Sequence, residues 1–302
     1  MAEPRPRGVF AGLATLDIIH RVGRSPGPNE KITALAQFVA AGGPAANAAV
    51  TFAALGGKAQ LLTALGQGQV ARTIAEELTE VGVEVIDIAP ELRDAAPISS
   101  IAVLEETGER SVIGGDASGV RLVAPGDDLL DAVLVGADVV LLDGHHPVLA
   151  CAVLAAAIAR GTPTVLDAGR WKPVMGDLVG FVSDVVASAD FRTPGASTIQ
   201  ATTEELRRRG ASTVVTTDGP EPVRWSHGTG SGQVEVPQIA AVDTLAAGDV
   251  FHGAYAYALA AGAEIEHRIR FASAVAATRC SMVGPRSWLG PIAHVPWEGY
   301  EQ

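Results

Sequence analysis

The sequence predicts an α/β fold, a doubly wound and mostly parallel sheet flanked by helices, with a small second β-sheet. Strand-like apolar runs alternate with helical segments along the chain. Several of these runs are continuous stretches of Val, Leu and Ile, which are typical of strands covered by helices on both faces. Hydrophobic residues make up 48% of the 302 residues, enough for a large core. We therefore expect one α/β domain over residues 1–302.

The predicted elements follow one another in the order that such a sheet requires. The strand candidates are residues 8–13, 59–65, 83–88, 98–104, 139–142, 164–166 and 213–216. The helix candidates are residues 44–55, 70–81, 149–160, 203–209, 247–261 and 266–280. The first helix has Pro44 at its first position, where a missing N–H costs nothing, and Gly56 just past its end.

Two segments depart from this alternation and predict the small second sheet. Residues 15–40 alternate loosely and are rich in charge. Residues 97–118 contain an alternating stretch, a glycine-containing turn at 106–108 and a further strand at 110–113, which is typical of a β-hairpin. We expect these segments to form a lid over one edge of the main domain.

Composition and charge exclude several function classes. The chain has 34 acidic and 22 basic residues, a net charge of −12, and its only basic run is 207–209, so we expect no nucleic-acid partner. It has no apolar run of about 18 residues and no signal-peptide cleavage pattern, so we expect a cytoplasmic protein without a membrane partner. Cys151 and Cys280 fit a reducing compartment, and we predict that both are buried.

Residues 241–254, which read AVDTLAAGDVFHGA, carry the strongest candidate site. Small residues at 246–248 let a backbone turn approach a ligand closely, and an apolar helix follows. The first N–H groups of a helix lack internal partners and attract a phosphate or a developing anion. Asp249 lies in that first turn and supplies a proton acceptor. Phosphoryl transfer to an alcohol needs both features, although acidic residues are also common at ordinary helix starts.

Residues 41–49, which read AGGPAANAA, form a second candidate site. Gly42 and Gly43 make a turn in front of a helix, and Asn47 is polar among Ala, Val and Phe. An asparagine there either makes a structural hydrogen bond or presents its amide to substrate hydroxyls, and the sequence leaves both interpretations open.

Residues 66–71, which read GQGQVA, indicate a different function. They match the dinucleotide-binding pattern G-x-G-x-x-A, with Asp87 about 20 residues further on. The pattern is short, the chain has 34 glycines, and the match does not follow the first strand. A nicotinamide-dependent oxidoreductase stays an alternative. His145 and His146 follow another strand, but adjacent histidines point apart and lack further zinc ligands, so we interpret them as loop residues.

The two motifs at 42–47 and 243–254 resemble the signatures of the ribokinase-like (PfkB) carbohydrate kinases in sequence, order and separation. The resemblance spans nearly the whole chain, and residues 42–50, 249–260 and 270–280 are most similar to sulfofructose kinases, with ketohexokinases and ribokinases less similar. It implies an ATP-dependent sugar kinase that phosphorylates a primary hydroxyl of a ketose or related sugar. It also implies Mg²⁺ arriving with ATP and a homodimer formed through the lid.

The same resemblance implies roles for individual residues. Asp249 would take the proton from the sugar hydroxyl. The anion hole would be formed by the amides of Ala246, Ala247 and Gly248. The acceptor site would include Asp17, Lys31, Gly42, Gly43, Asn47 and Arg110. The nucleotide site would be lined by Thr217 and Gly219. A monovalent cation, expected to be K⁺, would be held by Asp243 and the Leu245 carbonyl and would order the anion hole.

The chain also departs from the family pattern. The N-x-x-E element expected near residue 190 reads Ala189-Asp190-Phe191-Arg192. Lys31 matches the sulfonate-binding pattern of sulfofructose kinases, but Gly114 and His145 stand where that pattern has an Asn and an Arg. The sugar is therefore left open. A nucleoside kinase of the same fold and a non-catalytic sugar or nucleotide sensor are the alternatives.

Overall fold

The computed structural model describes residues 5–93 and 95–297 and consists of two β-sheets with helices packed around the larger one. The strands are β1 (Arg7–Ala11), β2 (Thr15–Val22), β3 (Ala36–Gly42), β4 (Lys58–Thr63), β5 (Val83–Asp87), β6 (Ile98–Leu104), β7 (Arg110–Gly114), β8 (Val139–Leu142), β9 (Thr164–Ala168), β10 (Asp184–Ser188), β11 (Thr213–Asp218), β12 (Glu221–His227) and β13 (Gly230–Val234). The helices are α1 (Pro44–Ala54), α2 (Gln69–Glu80), α3 (Asp127–Leu134), α4 (Pro147–Arg160), α5 (Met175–Leu178), α6 (Ile199–Arg208), α7 (Ala247–Ala260), α8 (Ile265–Cys280) and α9 (Leu289–Ile292).

The main sheet has nine strands in the order β13-β12-β11-β10-β9-β8-β1-β4-β5. Strands β11 to β5 in that order are parallel, whereas β12 and β13 extend one edge as an antiparallel hairpin. Two clusters of buried hydrophobic residues lie against the sheet, and all four residues of β8 are buried. The predicted doubly wound, mostly parallel sheet is confirmed. Strands β10, β12 and β13 and helix α3 are additions that the sequence patterns did not predict.

The chain reverses its direction of travel across the main sheet between β1 and β8. From β1 it proceeds to β4 and β5, and it then returns to the other side of β1 and continues from β8 to β11. The carboxyl ends of β1 and β8 therefore flank a crevice, the position at which open α/β sheets bind ligands.

The second sheet has four strands in the order β3-β2-β6-β7 and is called the small sheet below. It contains the predicted hairpin, as β6 and β7, and the loosely alternating segment, as β2 and β3. On its inner face Ile19, Ile101 and Val103 pack around Leu245. The small sheet thus lies against the segment that leads into α7.

The small sheet also holds that segment by hydrogen bonds. The Thr244 backbone N–H and hydroxyl both donate to the Gly108 carbonyl, at 2.9 and 2.8 Å. Arg21 donates to the Val242 carbonyl at 3.0 Å. Gly108 has φ +67°, and a Cβ there would lie 2.7 Å from the Val242 carbonyl carbon, so the hairpin turn requires glycine.

The expectation that both cysteines are buried is wrong. Cys151 is exposed and Cys280 is half-buried. Helix α4 buries the stripe formed by Leu149, Val153 and Ala157, and Cys151 lies on the opposite face of that helix. Within residues 5–93 and 95–297, no helix combines the length and apolar character needed to cross a bilayer.

Candidate active site

A buried carboxylate organises the crevice between β1 and β8. Asp143 directly follows β8, and its Oδ2 accepts the N–H of Leu13 at 2.8 Å and that of Ala45 at 3.3 Å. The side chain thereby ties the loop after β1 to the start of α1. Burial acts to raise the pKa of Asp143, but the facing His145, with Nδ1 3.3 Å from Oδ1, and Lys172 outweigh it and lower that pKa.

The glycine pair in front of α1 permits two close approaches. Gly43 has φ +96°, and a Cβ on it would collide with the Leu13 carbonyl. A Cβ on Gly42 would collide with the carboxylate of Asp17 on β2. The Gly-Gly turn therefore lets α1 begin directly beside the crevice with Asp17 next to it. Pro44 occupies the first turn of α1, as the sequence predicted.

Helix α7 begins at the same crevice, and its first amides are available to a ligand. Ala246 has φ +59°, a left-handed conformation that is uncommon for alanine, and helix α7 begins at the next residue. Among the described residues, the N–H groups of Ala246 and Gly248 have no hydrogen-bond acceptor, whereas the Ala247 N–H reaches the Thr244 carbonyl at 3.3 Å. This turn has the geometry of an anion site at a helix N-terminus.

Asn47 and Asp249 join the two sequence motifs. The Asn47 side-chain amide donates to Asp249 Oδ2 at 2.8 Å, across 202 residues of sequence. Burial raises the pKa of Asp249 to about 6, and the negative charge of Asp167 adds to this, while the Asn47 hydrogen bond opposes it. A carboxylate with a pKa near 6 is ionised at neutral pH and still accepts a proton readily, which suits a general base.

Asp167 and His252 lie beside Asp249; His252 is part of the 241–254 motif but was given no role there, and Asp167 lies outside both motifs. Asp167, on β9, is 4% exposed, and its Oδ2 lies 3.5 Å from His252 Nδ1. The other ring nitrogen of His252 lies 3.1 Å from the Val186 carbonyl, which can only accept, so that nitrogen carries a hydrogen. The available signal was a single carboxylate inside an apolar strand, since a buried charge needs a partner.

A narrow pocket opens between the small sheet and these two helix starts. Its lining includes Asp17, Asn47, Leu245, Ala246, Arg279 and Arg286. Asp17 is buried, which raises its pKa, and its Oδ1 accepts the Thr15 hydroxyl at 2.6 Å. The pocket therefore contains a carboxylate and a side-chain amide that can bind hydroxyl groups near the Asp249 carboxylate.

Arg286 is held in this pocket by an ion pair with Glu77 of α2. The Arg286 Nε lies 2.6 Å from Glu77 Oε1, and Nη2 donates to the Ala41 carbonyl at 2.6 Å. Glu77 Oε2 in turn accepts the Ala41 N–H at 2.5 Å. The Arg286–Glu77 pair thus bonds both the carbonyl and the N–H of Ala41, near the end of β3 and immediately before the Gly-Gly turn. No sequence motif indicated this contact between distant segments.

The pfkB family of carbohydrate kinases matches this chain over residues 8–289. The chain belongs to that family. It is therefore a carbohydrate kinase, and the family predicted from its two motifs is confirmed.

Relatives of the kinase include curated enzymes and solved structures. It is 24% identical over 270 residues to the ribokinase of Haemophilus influenzae, covering 86% of this chain and 87% of the relative. It is 25% identical over 290 residues to an ATP-dependent ribose-1-phosphate kinase of Halopiger xanaduensis, covering 93% and 94%. A candidate ribokinase structure from Agrobacterium tumefaciens superposes with a TM-score of 0.83 at 28% identity, covering 95% and 94%. The structure of Arabidopsis thaliana ribokinase complexed with ribose and ATP superposes with a TM-score of 0.75 at 24% identity, covering 96% of this chain and 99% of that one.

Four further predicted site residues of the kinase lie outside the pocket lining. Arg110 is exposed on β7, with Nη1 3.4 Å from the Thr244 hydroxyl beside the start of α7. Thr217 lies in β11, and Gly219 follows that strand with φ +53°, both towards the crevice edge of the sheet. Lys31 is exposed in the segment between β2 and β3 and does not line the pocket, so its role in acceptor binding stays a prediction.

Asp243, one of the two residues predicted to hold a monovalent cation, is already paired within the chain. Asp243 is 3% exposed, and its Oδ1 accepts the Leu245 N–H at 3.0 Å while Oδ2 accepts the Gly284 N–H at 3.1 Å. The Arg279 Nη2 lies 3.1 Å from the same Oδ1. The charge of this carboxylate is therefore already neutralised by a residue of the chain.

The Gly-rich turn at 66–68 of the kinase is closed by its own carboxylate. Asp87 accepts the N–H groups of Leu65 and Gly66 at 3.0 and 2.9 Å. In a dinucleotide fingerprint the corresponding acid would bind a ribose hydroxyl. Asp87 is instead used inside the turn, and the family membership favours a kinase over the nicotinamide-dependent alternative.

Proposed function

We propose that this kinase transfers the γ-phosphoryl group of ATP to a primary hydroxyl of a small, uncharged carbohydrate, a ketose or related sugar. The observation that carries the proposal is the placement of the Asp249 carboxylate and the unpartnered amides of α7 in one turn beside a polar pocket. This arrangement provides a proton acceptor and an anion site together.

The proposed reaction requires one proton transfer and one displacement. The Asp249 carboxylate accepts the proton of the acceptor hydroxyl, whose oxygen forms the new bond to the γ-phosphorus as the bond to the β,γ-bridging oxygen breaks and ADP leaves. The N–H groups of Ala246 and Gly248, which have no acceptor among the described residues, are available to the charge on the transferred group. Preorganised donors of this kind contribute about 10²–10³-fold each. The 2.8 Å bond from Asn47 holds the carboxylate in position throughout.

The charges in the pocket favour a neutral acceptor. The two cations of the lining, Arg279 and Arg286, are each paired with a carboxylate, Asp243 and Glu77. Asp17 then leaves the acceptor side with a negative charge and hydrogen-bond acceptors suited to sugar hydroxyls. This supports a neutral sugar over the sulfonated acceptor that the partial match to sulfofructose kinases suggests.

ATP is the proposed donor, with Thr217 and Gly219 at its site and Arg110 near the phosphates. Within the described residues no group of three His, Cys, Asp or Glu side chains forms a metal cage. Mg²⁺ bound through nucleotide phosphates needs only one or two protein carboxylates. The buried Asp167 Oδ2 has no hydrogen-bond partner and is suited to that role, whereas Asp190 is exposed. Bound Mg²⁺ would neutralise the phosphate charge.

The decisive experiment measures ADP release with ATP and Mg²⁺ over a panel of ketoses, aldoses, sugar phosphates and nucleosides. We expect turnover with a neutral sugar and a loss of at least about 10²-fold in kcat for Asp249→Asn, with ATP binding retained. Preferred turnover of a nucleoside would replace the sugar by that class. Sugar binding without ADP release would favour a non-catalytic sensor over a kinase. Near-normal turnover by Asp249→Asn would refute the role of Asp249 as the base.

We also propose that two copies associate through the outer face of the small sheet. The cross-strand row Val39, Ile18, Ser100 and Ile113 runs across this face, with Val39 60% and Ile113 80% exposed. An exposed apolar row of this kind is typical of an interface. Light scattering should give a dimer that Ile113→Asp dissociates, and a monomeric wild-type protein would refute the proposal.

A further inference from the structure

A buried cationic side chain lies beside the segment that leads into α7. Asp243, one of the two residues predicted to hold a monovalent metal ion, contacts the guanidinium of Arg279, near the end of α8. Arg279 is 1% exposed, and a charge this well buried needs a partner of opposite sign. Asp243 is that partner, at 3.1 Å.

The guanidinium contacts three oxygen atoms of the kind that bind a cation. Nη1 donates to the carbonyl oxygens of Asp243 and Met282, at 3.3 and 2.9 Å, while Nη2 neutralises the Asp243 carboxylate. A carboxylate and two carbonyls are also the oxygen ligands that suit a hard cation. Because the guanidinium already occupies these oxygen atoms, it would repel a metal cation that approached them.

These bonds fix the backbone that precedes the anion site. The N–H of Val242 donates to the Cys280 carbonyl at 2.9 Å, so the chain just before Asp243 is joined to the end of α8. Asp243 Oδ1 then holds the Leu245 N–H, and the next residue, Ala246, adopts its left-handed conformation. A strained conformation persists only where its surroundings over-determine it. Arg279 lines the pocket, but its guanidinium is bonded to Asp243 and Met282, and we treat it as a positioning residue that acts through the segment before α7.

We infer that Arg279 replaces the activating monovalent cation of this site, so that neither the ordering of the anion site nor turnover depends on K⁺. The inference rests on the proposed function for its kinetic part. The structural part, that K⁺ finds no site at Asp243, is tested without turnover.

The first experiment compares wild-type protein in KCl and in tetramethylammonium chloride at equal ionic strength. A ligand that binds the native state raises Tm, so we expect the same Tm in both salts. A Tm increase specific to K⁺ and abolished in Asp243→Asn would overturn the inference even if no sugar is turned over. In the kinase assay, K⁺ activation of about five-fold or more, the lower end of usual coupling between two ligands, would also overturn it.

The second experiment removes the guanidinium with Arg279→Met. We expect kcat to fall by about 10²-fold, as for loss of an anion-site donor, with KM for the sugar little changed, and we expect K⁺ to restore part of kcat. Unchanged kcat in Arg279→Met would overturn the inference. If that variant does not fold, Arg279→Met with Asp243→Asn removes both charges, and it should show low kcat without any K⁺ response. A K⁺ response of this double variant would overturn the inference.

Arg268→Met is the matched control. Arg268 lies on the same helix and forms an ion pair with Asp184 at 2.9 Å, away from the start of α7. Its loss should lower Tm without creating a K⁺ response. A K⁺ response of the same size in Arg268→Met would show that the effect follows from loosening α8 and would overturn the specific role of Arg279.

Discussion

Replacing Asn47 by Ala should move the acidic limb of the kcat/KM profile to higher pH. In the wild-type protein the Asn47 amide donates to Asp249 Oδ2 at 2.8 Å and thereby stabilises the ionised carboxylate. Burial first and the charge of Asp167 second raise the pKa of Asp249, whereas the charges of His252 and Arg110 lower it alongside the Asn47 bond. Asn47→Ala removes this hydrogen bond, so burial and the charge of Asp167, which raise the pKa of Asp249, are less opposed.

The size of the shift follows from the strength of that bond. A hydrogen bond to a charged group contributes about 1.5–3 kcal/mol, and one pKa unit corresponds to about 1.4 kcal/mol, so complete loss would raise the pKa by about 1–2 units. The pKa of Asp249 is about 6 in the wild-type protein. About half of the molecules carry the ionised base at pH 6, and in Asn47→Ala only about a tenth or fewer would do so.

The assay is the pH dependence of kcat/KM, which reports the free enzyme. The position of the acidic limb, rather than the height of the plateau, isolates this effect from any loss of acceptor binding by Asn47. Thr51→Val is the matched control, because Thr51 is buried one turn along α1 and donates only to the Asn47 carbonyl. An acidic limb at the wild-type position in Asn47→Ala would refute the coupling between Asn47 and Asp249.

Three further changes test the same site. Asp167→Asn removes the negative charge that raises the pKa of Asp249, so the acidic limb should move to lower pH; a shift to higher pH contradicts this. The folded-state pKa of Asp249 is raised, so ionisation of this carboxyl group destabilises the fold as pH rises through about 6. Asp249→Asn should therefore raise Tm at pH 8 but not at pH 4. An equal effect on Tm at both pH values would contradict the raised pKa. Ala246→Val should lower kcat and Tm while Ala246→Gly is tolerated, because a β-branched residue resists φ +59°; equal behaviour of the two variants would show that this backbone conformation is not required.

The sequence predicted most of the secondary structure because its signals are local. The Val and Leu run of β8 and the glycine-flanked helix α1 can be read from neighbouring residues alone. Strand β10 was not predicted, because Val185 and Val186 are the only two of its five residues that favour a strand. The chemistry-bearing motifs were equally local, since Gly42-Gly43 and the turn before Asp249 need particular residue types at fixed spacing.

The contacts that tune the site could not be predicted from the sequence. Whether Asn47 meets substrate or Asp249 depends on how α1 packs against α7, and the structure gives the bond to Asp249. Lys31 matched a family pattern, yet it is exposed in the segment between β2 and β3 and does not line the pocket. Asp143 organises the crevice through the N–H groups of distant segments, which no spacing along the chain encodes.

By itself the sequence determined the fold class and the kinase family and predicted the base, because hydrophobic periodicity and compact motifs act over a few residues. Only the tertiary structure decided which charges are free and which are paired. Asp243 and Arg279 are 36 residues apart in the chain but form an ion pair at 3.1 Å. The strength and consequence of such a pair depend on distance and burial, and both arise only when the chain is folded.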